Sequence, residues 1–277
     1  MINNALDQKI LGWLAEDAPL GDITTESCIP EKTQAVARLI AKQNGVICGL
    51  GVFKRVFELL DPGIAFEVHV KDGSSVVTGF EIACLTGSAR LILTGERVAL
   101  NLLQHLSGVA TKARELSALT AGTKARIVDT RKTTPGLREL EKYAVRTGGA
   151  SNHRFSLSDG VLIKDNHIAA AGGIADAVNA ARGNAPFTLK IEVECETLEQ
   201  VQEALCAEAD IIMLDNMPPE KMAEAVKLIA GRAITEASGN MGERDIREVA
   251  AAGVDVISVG ALTHSIAALD ISLKFEL

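Results

Sequence analysis

The chain predicts an incomplete α/β barrel preceded by an α+β domain, and three observations carry that reading. From Ala125 onward, short apolar runs alternate with amphipathic stretches in a repeated βα rhythm, with strands at 126–129, 161–164, 189–194, 211–215, 234–236 and 256–259. Glu194, Asp215 and Glu236 each close one of those runs at a constant spacing of 21 residues, the length of one strand, loop, three-turn helix and loop. Such a repeat predicts equivalent positions on successive parallel strands, all facing one rim. Before residue 90 strands and helices alternate without that rhythm, as in an α+β domain with an antiparallel sheet. Six strands leave the barrel incomplete or closed by another element.

Taken in order, Leu6, Ile10, Leu11 and Leu14 recur at helical spacing and predict a helix over 4–15, ended by a loop at 18–22. Residues 35–48 read as strand, turn at Asn44-Gly45, and strand. Val52, Val56, Phe57 and Leu60 give a helix stopped by Asp61-Pro62-Gly63. Strands follow at 64–70 and 81–85, with a turn at 71–73. Residues 90–120 are helical, with Leu91, Val98, Leu102, Leu103 and Leu106 on the apolar side and Ser107-Gly108 as a break between two helices. Glu96, Arg97, Asn101, Gln104 and His105 lie along that helix surface, where the residues alone indicate a solvated face. Barrel helices are expected at 137–146, 174–181, 198–207, 219–229 and 244–252. The domains are placed at 1–107, joined by the tail 266–277, and at 108–265.

A net charge of -8, from 28 basic and 36 acidic residues, argues against a nucleic-acid or anionic-membrane surface. The cysteines (Cys28, Cys48, Cys84, Cys195 and Cys206) form no Cys-x-x-Cys pair, and most have apolar neighbours. Buried free thiols in a reducing compartment follow, and structural zinc does not. Asp7, Glu16 and Asp17 interrupt the N-terminus, so no signal peptide is indicated. No apolar run approaches the roughly 20 residues of a spanning helix. The expected location is the cytoplasm.

The chemistry concentrates in 129–167, DTRKTTPGLRELEKYAVRTGGASNHRFSLSDGVLIKDNH, where Arg131-Lys132, Arg146, His153-Arg154 and Lys164 spread cationic groups along the chain. Ile127-Val128 runs into Asp129, and Val161-Leu162-Ile163 runs into Lys164, so buried strands deliver these groups at their C-terminal ends. A local basic pocket in an acidic protein fits a small polyanion. Arg suits bidentate recognition of carboxylate or phosphate, and Lys supplies a compact charge. Glu194 and Asp215 either pair with those bases or serve at the rim, holding Mg²⁺ or facing a developing positive charge; spacing leaves both open. Ser238-Gly239-Asn240-Met241-Gly242 and Gly260-Ala261 follow strands, and their small residues suit a phosphate-cradling backbone. The five histidines lack metal-ligand spacing, and neither Ser158 nor Ser238 has a base nearby in sequence.

The runs DTRKTTPGLRELEKYAVRTGGASNHR, LIKDNHIAAAGGI, IEVECETLEQ, IIMLDN, EASGN and ISVGALTHS closely resemble the quinolinate phosphoribosyltransferase family, the carboxylating nicotinate-nucleotide pyrophosphorylases. The resemblance extends back through GERVALNLLQHLSGVAT and, more loosely, AEDAPLGDITTES. It implies a decarboxylating pentosyltransferase of NAD biosynthesis, which converts quinolinate and phosphoribosyl pyrophosphate, with Mg²⁺, to nicotinate mononucleotide, pyrophosphate and CO₂. The implied fold is an open-sandwich α+β domain plus an incomplete α/β barrel, assembled as a homodimer or higher homo-oligomer. By resemblance, Arg131, His153, Arg154 and Lys164 line the quinolinate side, with Lys132 close to the pyrophosphate, and Thr130 is also substrate-binding. Glu194 and Asp215 match the acidic pair beside the ribose and Mg²⁺, and with Lys132 and Lys164 make the catalytic set. Ser238, Gly239, Asn240, Val259, Gly260 and Ala261 match the phosphate loops; Asn240 stands where many relatives have Gly, and Asn tolerates the same left-handed backbone. Glu96-Arg97-Val98-Ala99-Leu100-Asn101 matches a segment whose arginine enters the neighbouring subunit's pocket. Two rivals stay open: a molybdate-operon-associated group of the same fold, against which the intact IKDNH run argues, and an inactive oligomeric binding protein.

Overall fold

The computed structural model describes residues 2–276. It separates into two compact units, the first running through Lys112 and including Glu139–Gly148 and the chain from Ile266 on, the second comprising Ala113–Arg138 and Gly149–Ser265. This differs from the expected division at two places. The split falls within a helix, at 112/113, and residues 139–148 join the first unit. Leu140, Ala144 and Val145 of that segment are buried. Tyr143 donates to Asp72 at 2.8 Å, and His105 Nε2 meets the buried Glu141 at 2.8 Å.

In the first unit, α1 (Asn4–Asp17) buries Leu6, Ile10 and Leu14 and is capped by Asn3, whose side chain accepts the Leu6 N–H at 2.9 Å. Then come α2 (Ile23–Cys28), β1 (Gln34–Ala41), β2 (Gly45–Val46), α3 (Leu50–Leu60), β3 (Ala65–Val68), β4 (Ser75–Val76), β5 (Glu81–Ser88) and α4 (Ala89–Leu119). The strand–turn–strand expected at 35–48 does not pair with itself: β2 pairs with β4, while β1 pairs antiparallel with β5. Phe53, Phe57 and Phe66 pack edge to face or tilted, with centroids 5.2 to 6.4 Å apart, between α3 and the sheet.

The break expected at Ser107-Gly108 is absent, and α4 runs unbroken for 31 residues. Ser107 is buried because its hydroxyl accepts the Cys48 N–H at 3.0 Å and donates to the Cys48 carbonyl at 3.3 Å. Gly108 is there for clearance, since a Cβ would fall on the carbonyl oxygen of Ala267. The glycine reports close backbone approach, not a helix end.

The second part of the chain gives β6 (Arg126–Val128), α5 (Arg138–Thr147), β7 (Val161–Ile163), α6 (Asp165–Ala171), α7 (Ile174–Asn184), β8 (Ile191–Cys195), α8 (Leu198–Cys206), β9 (Ile211–Asp215), α9 (Pro219–Ile229), β10 (Ile234–Ser238), α10 (Ile246–Ala251), β11 (Val256–Ser258), α11 (Ala261–His264) and β12 (Ile271–Glu276). The last strand pairs with β1, giving an antiparallel sheet of order β12-β1-β5-β3 in the first unit. In the second unit six parallel strands run in the order β6-β11-β10-β9-β8-β7. Among the described residues no ladder joins β6 to β7, so the barrel is open. Its strands are mostly apolar, with Ile127, Val193, Ile212, Leu214, Ala237 and Ile257 almost fully buried, as in parallel strands covered on both faces, and Glu192, Thr235, Glu236 and Ser258 are the buried polar exceptions on β8, β10 and β11.

Register corrects one expectation. Glu194 and Glu236 both pair with Met213, whereas Asp215 pairs with Ser238, one inward-facing step higher. Equal sequence spacing therefore does not mean equal height, because loop lengths vary between repeats. Glu236 sits below the rim, only 2% exposed.

The thiols also divide. Cys48 and Cys195 are buried, Cys84 is half-buried, and Cys28 and Cys206 are exposed; all five are free. No helix among the described residues is long and apolar enough to cross a membrane.

Candidate active site

The C-terminal ends of the second unit's strands carry the polar groups. Beyond β6, the fully buried Asp129 accepts from Asn152 Nδ2 at 2.6 Å and from the His153 N–H at 2.9 Å. One carboxylate thus fastens the 150s loop to the end of β6, next to the Val128–Ser151 bridge. Thr130 Oγ1 accepts the Lys132 N–H at 3.0 Å, and the Lys132 carbonyl accepts from Thr263 Oγ1 at 2.7 Å. The latter bond ties the first strand's loop to α11. Arg131 Nε is buried and has no hydrogen-bond partner among the described residues. An orphaned guanidinium N–H costs free energy unless a ligand or water satisfies it.

Arg154 donates from Nη1 to the Gly160 carbonyl at 2.8 Å. Burial, and then the Arg131 charge beside it, lower its pKa. Two like charges that act on each other at one rim call for an anion. Asp159 shapes the rest of the loop, accepting the Phe155 and Ser156 N–H groups at 2.5 and 2.6 Å. Across the sheet, Lys164 at the end of β7 donates to Glu194 of β8 at 2.6 Å. Asp215 accepts from Asn216 Nδ2 at 2.6 Å.

The loop after β10 is tightly fitted. Asn216 is left-handed (φ 55°) and donates its N–H to the Ser238 carbonyl at 3.1 Å. Any Cβ at Gly239 would overlap the Asn216 side chain, so that position requires glycine. Asn240 adopts φ 52°, the left-handed conformation that its side chain tolerates. After β11, Val259 donates its N–H to the Val128 carbonyl at 2.9 Å. A Cβ on Gly260 would meet His264 Nε2 at 3.0 Å and Lys132 Cδ at 3.1 Å, so the absence of a side chain lets Lys132 lie against this loop.

Inside the barrel His153 Nε2 lies 3.2 Å from Glu192 Oε2 and 3.4 Å from Glu236 Oε2. Its Nδ1 accepts the Arg154 N–H at 2.7 Å, which places the ring proton on Nε2. Burial lowers the imidazole pKa and the two carboxylates raise it, but the Arg154 N–H occupies Nδ1 and leaves the ring no site for a second proton. Burial likewise raises the Glu192 carboxyl, with the Glu236 charge adding to it.

The second unit thus brings together Thr130, Arg131, Lys132, His153, Arg154, Lys164, Glu194, Asp215, Ser238, Gly239, Asn240, Val259, Gly260 and Ala261 at one end of its sheet. Arg146 and Arg97 do not join them in that unit. Arg146 is exposed on α5 and Arg97 is exposed on α4, both in the first unit. Arg146 is contiguous in sequence with the rim residues, but α5 clusters with the first unit.

Profile comparison matches residues 22–107 to "Quinolinate phosphoribosyl transferase, N-terminal domain" and residues 109–274 to the C-terminal domain of the same family. The chain belongs to the quinolinate phosphoribosyl transferase family. Among relatives, a probable nicotinate-nucleotide pyrophosphorylase [carboxylating] of Synechocystis is 48% identical over 97% of this chain and 92% of its own length. One from Bacillus subtilis is 46% identical over 100% and 96%. The crystal structure of NadC from Streptococcus pyogenes superposes with a TM-score of 0.95 at 44% identity, covering 99% of this chain and 97% of that one. These names favour the pyrophosphorylase reading over the molybdate-operon group and over an inactive binding protein.

Sequence reasoning overlooked several polar residues that the fold gathers at this end of the sheet. Glu192 shares the inward face with Glu194, which the period-two pattern of Ile-Glu-Val-Glu could have revealed. Asn216 directly follows Asp215, and a left-handed Asn after a strand is a recognisable signal. Asp129 and Asn152 meet only through the fold, and nothing local announces the pair.

Proposed function

We propose that this chain is a quinolinate phosphoribosyltransferase, which joins quinolinate to the ribosyl C1 of phosphoribosyl pyrophosphate and releases pyrophosphate and CO₂ to give nicotinate mononucleotide in de novo NAD synthesis. The observation that carries this reading is the pairing of Arg131, with its buried and unpartnered Nε, and Arg154 at one strand-end rim. Two guanidinium groups at one rim, with His153 and Lys164 also carried at the strand ends, suit a planar dicarboxylate. Thr130 also binds substrate in this reading, and its hydroxyl holds the Lys132 N–H.

Lys132, lying against Gly260, faces the pyrophosphate in this reading. The Ser238-Gly239-Asn240 and Val259-Gly260-Ala261 loops take the 5′-phosphate, their small side chains letting backbone N–H groups approach it. Glu194 and Asp215, on adjacent strands, sit where positive charge develops as the C1–pyrophosphate bond loosens. The pyridine nitrogen attacks C1, and the C2–carboxylate bond breaks with its electron pair held beside the cationic ring nitrogen until C2 takes a proton.

The donor set at this rim fits magnesium, since Glu194 and Asp215 offer hard carboxylate oxygens and no sulfur. When bound, the ion supplies charge neutralisation for the pyrophosphate. The same reading includes a cytoplasmic enzyme, in keeping with five free cysteines, and a homodimer or larger homo-oligomer in which the exposed Arg97 enters a neighbouring site.

The test is incubation with quinolinate, phosphoribosyl pyrophosphate and Mg²⁺, followed by assay of pyrophosphate and nicotinate mononucleotide. Both should appear together, and nicotinate in place of quinolinate should react at least about a hundredfold more slowly, since one cationic subsite is then unpaired. Comparable turnover of the two acids would sink the proposal.

A further inference from the structure

The His153–Glu192–Glu236 cluster places two carboxylates, 3% and 2% exposed, against one imidazole N–H. Each glutamate has its other oxygen, Oε1, buried without a hydrogen-bond partner among the described residues. A pair held this way is poor value for stability, since apolar side chains of similar volume would pack there at no desolvation cost. The three ligand atoms lie within 4.8 Å of one another, a spacing that a metal ion could bridge. The hydrogen bonding opposes a metal: a ligating nitrogen must be unprotonated and its partner nitrogen normally donates, whereas Nδ1 accepts the Arg154 N–H at 2.7 Å and leaves the proton on Nε2.

The cluster is therefore a clamp. The ring is gripped at Nε2 by two strands, β8 and β10, and at Nδ1 it grips the backbone of Arg154. Arg154 is fixed a second time by its bond to the Gly160 carbonyl. The buried Asp129 holds the His153 N–H from the β6 side. One step above, on the same inward face of β8, Glu194 holds Lys164. Cationic groups at this rim are thus backed by carboxylates rising from inside the barrel.

We propose that Glu192 and Glu236 are positioning residues for the dicarboxylate subsite, locking the His153 ring and, through it, the Arg154 backbone in the orientation that receives the substrate. This rests on the reading of His153 and Arg154 as quinolinate-binding groups. Neither glutamate touches substrate; each acts through His153.

The variants are Glu236→Gln, which keeps one acceptor, Glu236→Leu, which removes both, and each of them combined with His153→Ala. Glu236→Leu should raise the KM for quinolinate about tenfold while leaving the KM for phosphoribosyl pyrophosphate within about twofold, with Glu236→Gln in between. Its thermal midpoint should hold or rise, because a buried carboxylate has gone. In the His153→Ala background the same changes should add little, since the group they act through is missing. A fall in midpoint with both KM values rising together, or full additivity with His153→Ala, would reduce the glutamates to a structural role and overturn the proposal.

Long-range ¹H–¹⁵N spectra of histidine-labelled protein supply a readout that needs no turnover. The His153 signal, assigned by its loss in His153→Ala, should show a protonated Nε2 and an acceptor Nδ1 in the wild type and a shifted, broadened pattern in Glu236→Gln. A proton on Nδ1 with Nε2 bare in the wild type, or an unshifted signal in the variant, would overturn the clamp. If the wild type fails to use quinolinate yet shows the expected ring pattern, the functional reading falls and the clamp stands.

Discussion

Lys164→Ala separates chemistry from stability with the least ambiguity. Lys164 reaches Glu194 at 2.6 Å, yet 47% of its side chain is exposed. A half-exposed pair contributes about 0–1 kcal/mol to folding, so the thermal midpoint should move by no more than about 2–4 °C. Its effect on substrate should be larger. A charge-assisted hydrogen bond to a bound carboxylate is worth about 1.5–3 kcal/mol, which corresponds to a roughly 10- to 150-fold loss in kcat/KM. The alanine also leaves Glu194 without its cation, adding anionic repulsion in the pocket. Pyrophosphate release with quinolinate varied at saturating phosphoribosyl pyrophosphate measures the loss directly, with circular dichroism as the control for fold. Lys164→Arg should recover part of the activity, since it keeps the charge but changes the donor geometry. Near-normal kcat/KM in the alanine variant, or a collapse of its midpoint, would refute the placement.

Other perturbations test separate links. Arg97→Ala and Lys164→Ala should each lose most of the wild-type kcat/KM, and remixing dissociated subunits should raise activity above either parent, up to about a quarter of wild type, if Arg97 completes a neighbour's site in a two-fold dimer; no gain, with exchange proven by native mass spectrometry, would place Arg97 elsewhere. For Asp159, burial raises the carboxyl pKa but hydrogen bonds from Phe155 and Ser156 lower it further, to about 2. The contribution of a depressed carboxyl is complete above its unfolded value of about 3.9 and is lost as pH falls through about 2. The midpoint gap between wild type and Asp159→Asn should therefore be full at pH 6 and close below about pH 4; a gap that widens on acidification would contradict the bonding. Gly108→Ala drives a Cβ onto the Ala267 carbonyl, where Leu269 N–H donates to the Gln104 carbonyl at 3.0 Å. It should cost about 1–3 kcal/mol in urea unfolding, and an unchanged midpoint would rule out the close approach.

The sequence by itself determined which residues could become parallel strands and which polar groups would stand at their ends. Apolar runs such as Ile211–Asp215 and Val256–Ser258 are legible because a strand buried on both faces must be mostly apolar. Arg131, Lys164, Glu194 and Asp215 were legible because each directly follows or closes such a run. Tertiary structure decided what depends on register and on distant partners. The 21-residue spacing placed Glu194, Asp215 and Glu236 on successive strands, but only the sheet sets Asp215 level with Ser238 and sinks Glu236 beneath the rim. Gly108 reads locally as a helix break, and only the return of the chain at Ala267 shows it as clearance. The residues after Leu137 look continuous with the site, yet the burial of Leu140, Ala144 and Val145 takes α5 to the other unit. His153, Glu192 and Glu236 come from three separate segments, and their meeting at one imidazole nitrogen has no local signature, because hydrogen bonds between distant segments leave no period in the sequence.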